Sequence, residues 1–116
     1  MGALADKAVS NHKSFYSCSA SVLCAFAEEI NLTEQQARSA ASPFAGGRMG
    51  KCGAVMAAEY VLAISFGEDS GKIADFEKRF IDKNKSVMCS ELRGTKRSCR
   101  GCVTDSAELL ESMLEE

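Results

Sequence analysis

The residues of this chain equipped to do chemistry are its cysteines, six of them in 116 residues that hold no Trp, one Pro and one His. Four lie far apart, at Cys18, Cys52, Cys89 and Cys99, and Cys102 follows the last of them in Cys-Arg-Gly-Cys. The reactive form of a thiol is the thiolate, favoured at helix N-termini and beside cations. Cys52 follows the glycine-rich stretch Phe44-Ala-Gly-Gly-Arg-Met-Gly50 and stands at the expected first turn of an apolar helix. Open backbone N–H groups and the helix dipole favour negative charge there, and Arg48 and Lys51 push the same way. Cys52 is therefore expected to be a reactive thiol of lowered pKa rather than a small space filler.

The other sulfurs carry weaker signals. Cys99 and Cys102, flanked by Lys96, Arg97 and Arg100, form a vicinal pair able to close a disulfide, at least one of them in a cationic, exposed place. The strand and helix context of a thioredoxin-like motif is missing around them. Cys89 precedes a short turn or helix, Ser-Glu-Leu-Arg-Gly94. Cys24 follows Cys18 by six residues, about 240° around a helix, so the two point different ways and Cys24 reads as core packing. His12 has no second His or nearby acid and reads as solvated; Met49, Met56, Met88 and Met113 lack metal-site spacing and read as filling. Glu59, on an otherwise apolar helix, either forms a salt bridge or tunes a nearby thiol.

Composition narrows the function classes. Fourteen basic and sixteen acidic residues give a formal charge of −2 with both signs interspersed, so no nucleic-acid partner is expected. The longest apolar stretch, Ala54 to Phe66, is broken by Glu59 and too short to insert into a membrane, and Asp6 spoils the lipidation pattern begun at Gly2. Met1 to Ser17 carries Asp6, Lys7 and Lys13 and no unbroken apolar core of a signal peptide, so the expected compartment is the cytoplasm. In a reducing compartment, cysteines are more often redox-active, metal-binding or catalytic than structural staples.

Helical periodicity must position these sulfurs. Phe15, Cys18, Val22, Phe26 and Ile30 fall on one stripe, with Ala3 to Asn11 a separate helix if the polar residues Asn11 to Ser14 break the chain. Thr33 and Gln36 form a capping box ahead of a helix from about Glu34 to Ala41, ended by Ser42 and Pro43. A glycine-rich loop over 44–50 then leads to the central helix, Ala54 to Phe66, apolar on nearly all sides and capped by Gly67. Ile73, Phe76 and Phe80 mark an amphipathic helix starting near Asp69 or Ser70, and Val103, Ala107, Leu110 and Leu114 mark the last one. No strand pattern competes. The expected fold is all-α, a single domain over 1–116 built as a bundle of five or six helices.

Taken together, Cys18-Ser-Ala-Ser-Val22 with Phe26, the loop Phe44 to Gly50, Cys52-Gly53-Ala54, Cys89-Ser-Glu-Leu-Arg-Gly94, and Cys99 with Val103 and Ala107-Glu-Leu-Leu110 resemble the C_GCAxxG_C_C family. These are small bacterial and archaeal proteins with four characteristic cysteines, named for suspected redox activity. Ala57 stands where the family has a glycine, and Cys24 and Cys102 are additional. The resemblance implies that Cys18, Cys52, Cys89 and Cys99 converge, with Cys99 taken as the fourth by its spacing to Val103 and Cys102 as the substitute. It implies an unidentified redox partner, associated with a transport system because family members often lie near transporter genes. A related cysteine pattern in split-Soret-type cytochromes implies that such a site is able to hold an iron-sulfur cluster.

Three readings follow. In the first, an oxidoreductase-like thiol–disulfide exchange or electron transfer, Cys52 attacks and Cys18, Cys89 or Cys99 resolves. In the second, Cys18, Cys52, Cys89 and Cys99 are the ligands of an iron-sulfur cluster or of zinc, with Cys102 as substitute ligand. In the third the chain is a helical binding module whose cysteines only pack. The sequence does not choose an oligomeric state.

Overall fold

The apolar run after Cys52 becomes a helix with one broad buried face, Val55, Ala57, Ala58, Val61 and Leu62 being fully buried, while Met56, Glu59, Tyr60 and Ala63 on the other side are half-buried and Ile64 and Phe66 near its end are exposed. Three other helices cover the buried face, so an apolar composition on nearly all sides did not make this helix fully enclosed. The computed structural model describes residues 2–47, 50–94 and 99–115, the side chains of 46, 47, 93, 94 and 99 apart. Over these residues the protein is all-α, with α1 (Ala3–Lys13), α2 (Cys18–Ala25), α3 (Glu34–Ala41), α4 (Gly53–Phe66), α5 (Lys72–Asn84), α6 (Cys89–Gly94) and α7 (Cys99–Leu114). That is seven helices where five or six were expected. No helix among the described residues is long and apolar enough to cross a membrane.

Helix α4 packs on α2, α7 and α5, while α1 lies across α2 and α7 and α3 rests on α2. Phe26, Phe76, Phe80, Leu23, Leu110 and Met113 fill the space between them with 0–1% of their surface exposed. Each such side chain contributes about 1.5–3 kcal/mol by leaving water. Two buried hydroxyls find their partners across the layers and so tie them together: Ser19 Oγ donates to the Ala41 carbonyl at 2.9 Å and Ser106 Oγ to the Ala54 carbonyl at 2.8 Å.

Several ends follow local chemistry. The capping box forms, with Gln36 N–H donating to Thr33 Oγ1 at 3.1 Å and Thr33 N–H to Gln36 Oε1 at 2.9 Å, and α3 spans Glu34–Ala41 as expected. Helix α5 begins at Lys72, whose N–H donates to Ser70 Oγ at 3.2 Å. The start of α1 uses a distant group: Glu111 of α7 accepts from the N–H groups of Leu4 at 3.2 Å and Ala5 at 3.1 Å. A carboxylate there neutralises the open donors of the first turn.

Two expectations are corrected. The Phe15-to-Ile30 stripe is not one helix: α1 stops at Lys13, α2 starts at Cys18, and Phe15 between them is 98% exposed with φ +72°. Ser17 Oγ accepts from Ala20 N–H and opens α2, so a separate first helix does form, but the break falls at Ser14–Ser17 and Asn11, His12 and Lys13 belong to α1. The glycine-rich loop is also shorter than its composition suggested, because Ser42–Gly47 coil into 3-10 turns immediately after α3. Arg48 and Met49 lie outside the described residues.

Candidate functional site

Residues 50–52, ahead of α4, and 87–89, at the start of α6, meet edge to edge. Cys52 N–H donates to the Val87 carbonyl at 2.8 Å and Cys89 N–H to the Gly50 carbonyl at 3.0 Å, which makes Lys51 and Met88 a directly opposed antiparallel pair. Cys52 and Cys89 take diagonal register positions, a relation that separates residues by about 7–8 Å. Gly50 turns into this pairing at φ +92°, a backbone angle that only glycine adopts without strain.

Cys18 reaches the same place from α2. A side chain at position 53 would put its Cβ 2.6 Å from Cys18 Sγ and 2.8 Å from the Phe44 carbonyl oxygen, so the half-buried sulfur occupies the space that Gly53 leaves empty. From the opposite side comes Cys102. It lies one turn before Ser106 on α7, and because Ser106 bonds the Ala54 carbonyl, the face carrying Cys102 presses on the start of α4. Cys102 is 3% exposed and Cys52 is 6% exposed, and the two buried thiols are near enough for Cys102 to disfavour ionisation of Cys52.

This environment overturns the expected acidity of Cys52. The neighbouring Cys102 thiol, and after it burial, push the Cys52 thiol far above its ordinary pKa. The N–H groups of Val55 and Ala54 at the helix start pull the other way, as anticipated, and are outweighed. Removing water costs the charged form more than two partial charges return. Lys51 gives no help. On the far side of the bridge from Cys52, its ammonium is held by Glu59 at 3.1 Å and by Glu77.

Glu59 thus forms the salt bridge, joined to a second carboxyl that sequence reading missed. Burial first, then the hydrogen bond with Glu77, pushes Glu59 up to about 8, while the same hydrogen bond holds Glu77 below its usual range. Glu59, Glu77 and Lys51 therefore share one proton between the carboxyls and one compensating cation, pinning the segment before Cys52 to α4 and α5. Position 77 falls on the half-polar side of an amphipathic helix, and nothing in its neighbours marks it.

Cys24 packs in the core as expected, its Sγ 3.9 Å from the Glu34 carbonyl and its pKa raised by burial. The cationic, exposed place expected for one member of the vicinal pair is not that of buried Cys102, and the side chain of Cys99 lies outside the described residues. His12 is half-buried rather than solvated; it accepts from Arg100 Nε at 3.4 Å and its pKa is lowered, by burial first and Arg100 second.

Of the expected convergence, Cys18, Cys52 and Cys89 are brought to one region, with Cys102 arriving from α7. Among the described residues, no three His, Cys, Asp or Glu side chains gather closely enough to hold a metal ion. The side chain of Cys99, the fourth ligand expected for a cluster or zinc, lies outside the described residues.

A family model described as "Putative redox-active protein (C_GCAxxG_C_C)" matches residues 16–113. No curated protein and no solved structure matches the chain.

Proposed function

The chain belongs to the C_GCAxxG_C_C family of redox-active proteins, and we propose that its redox chemistry is thiol–disulfide exchange centred on a buried Cys52–Cys102 couple. What supports this reading is the burial of both thiols together at the start of α4, where the Ser106–Ala54 hydrogen bond holds the face of α7 that carries Cys102, from segments fifty residues apart. A disulfide between them requires their Cα atoms to lie within about 7 Å.

Buried and protonated, Cys52 is a poor first nucleophile, so the attacking role passes outward to the half-exposed thiols. Cys18 attacks a substrate disulfide R–S–S–R, the S–S bond breaks, and one thiolate leaves and takes up the proton that Cys18 gave. Cys102 or Cys52 then attacks the Cys18 sulfur of the mixed disulfide and expels the second thiol. The remaining member of the couple displaces Cys18 and closes Cys52–Cys102. In sum two thiols lose two electrons and two protons, and R–S–S–R becomes two R–SH. Cys89, diagonal to Cys52, is a second entry point, and Cys99 opens α7 one turn before Cys102.

The test is a thiol count on protein purified without oxygen, before and after hydroxyethyl disulfide, with peptide mapping of the cross-link and iron, zinc and sulfide analysis. Loss of thiols in pairs with a Cys52–Cys102 bridge is expected. Stoichiometric iron and sulfide would replace this reading by a cluster, and complete retention of unreactive thiols would leave only a helical binding module.

A further inference from the structure

Phe15 does two costly things at once. It exposes 98% of an aromatic side chain, and it does so at φ +72°, where a side chain crowds its own backbone. The position is the residue after a helix cap: Phe15 N–H donates to the His12 carbonyl at 3.1 Å and Tyr16 N–H to the Asn11 carbonyl at 3.2 Å, the paired bonds of a helix end that ordinarily takes glycine. Among the described residues none covers the ring. Phe15 precedes half-exposed Cys18 by three residues, so their backbones are at most about 10–11 Å apart.

Charged groups of both signs stand near the turn, the cations in excess: Tyr16, the next residue, donates to Glu34 Oε1 and lies beneath the Arg38 guanidinium. Lys13 is exposed on one side of the turn, and the His12–Arg100 hydrogen bond brings exposed Arg100 of α7 to the other. The acidic side chains Glu108, Glu111 and Glu115 line a separate groove beside Gly2. A single apolar projection with a cationic rim beside a reactive thiol fits a partner of opposite charge with an apolar socket.

We infer that Phe15, rimmed by Lys13 and Arg100, docks the disulfide substrate, and that this substrate is a protein or peptide whose disulfide is flanked by acidic residues and an apolar side chain. The inference rests on the exchange reading above and names its substrate class. The bond changes are those already given: the substrate S–S bond is reduced to two thiols as the protein's couple is oxidised. Phe15 is a positioning residue, since it holds the substrate while Cys18 attacks.

The experiment compares oxidation rates of the reduced protein by three probes: the disulfide dimer of Glu-Leu-Cys-Glu, that of Lys-Leu-Cys-Lys, and uncharged hydroxyethyl disulfide. The acidic peptide is expected to react fastest, with an advantage that shrinks as salt rises. Phe15→Ser and Lys13→Glu should each slow it about tenfold while leaving hydroxyethyl disulfide unchanged. Phe15→Gly should slow the acidic peptide equally and yet raise the thermal midpoint, because glycine relieves the left-handed backbone; misfolding cannot produce that combination. If hydroxyethyl disulfide oxidises the couple but the two peptides react alike, or the Phe15 variants keep the wild-type rate, docking is overturned and exchange stands. If no probe oxidises any thiol, both fall.

Discussion

Gly53→Ala tests directly whether the Cys18 sulfur rests against the start of α4. The new Cβ would lie 2.6 Å from Cys18 Sγ, 2.8 Å from the Phe44 carbonyl oxygen and 3.3 Å from Ser19 Cβ. Comfortable heavy-atom separations are about 3.5–4.0 Å, so the first two contacts are roughly 1 Å too close. The sulfur, half-exposed, has room to rotate outward. The carbonyl is main chain and moves only with the 3-10 turns of Ser42–Gly47. Overpacking of this kind costs about 1–3 kcal/mol, and the better helix propensity of alanine returns less than about 1 kcal/mol. A net loss of about 1–2 kcal/mol follows from these terms. Part of it belongs to the sulfur, so Cys18→Ala should relieve that part and leave the clash with Phe44. The double variant is then less destabilised than the sum of the single ones by about 0.5–1 kcal/mol. Urea unfolding of the reduced proteins, followed by circular dichroism with m-values compared, measures all four corners of the cycle. Additivity within about 0.3–0.5 kcal/mol, or a Gly53→Ala protein as stable as the parent, would refute the placement of Cys18.

Alkylation of the native reduced protein should label Cys18 well before Cys52, since Cys52 is buried and holds its proton; mass mapping that finds Cys52 modified first contradicts the assigned roles. Because Glu59 binds its proton more tightly folded than unfolded, stability should fall as pH rises from about 5 to 8, and Glu59→Gln should flatten that decline, as read from urea midpoints across the range. Glu77, shifted the opposite way, contributes stability that is lost as pH falls below the ordinary carboxylate range, so the parent should unfold at lower urea at about pH 3 than at about pH 5, a loss that Glu59→Gln should change little. Removing the carboxylate that caps α1, with Glu111→Ala, should cost about 1 kcal/mol in thermal melts, although residue 111 lies at the opposite end of the chain.

What the sequence determined by itself is what depends on near neighbours. The capping box at Thr33 and Gln36, the limits of α3, the end of α4 at Gly67 and the apolar faces of α5 and α7 are all set by side chains within about four residues, the reach of helical hydrogen bonding. The cysteine pattern and the glycine at position 53 belong to the same legible layer, and they carried the family. What only the tertiary structure decided is which sulfur meets which and in what surroundings. Cys102 looked like the spare of a vicinal pair, yet the packing of α7 on α4 makes it the partner of Cys52. Cys52 looked acidic from its place at a helix start, yet burial and that partner keep its proton on. Glu77 joined Glu59 and Lys51 from α5, and Phe15, periodic with a buried stripe, was turned outward by a chain reversal. Local periodicity fixes directions around one helix axis, whereas desolvation and pairing depend on the position of every other helix, and that information is not carried by spacing along the chain.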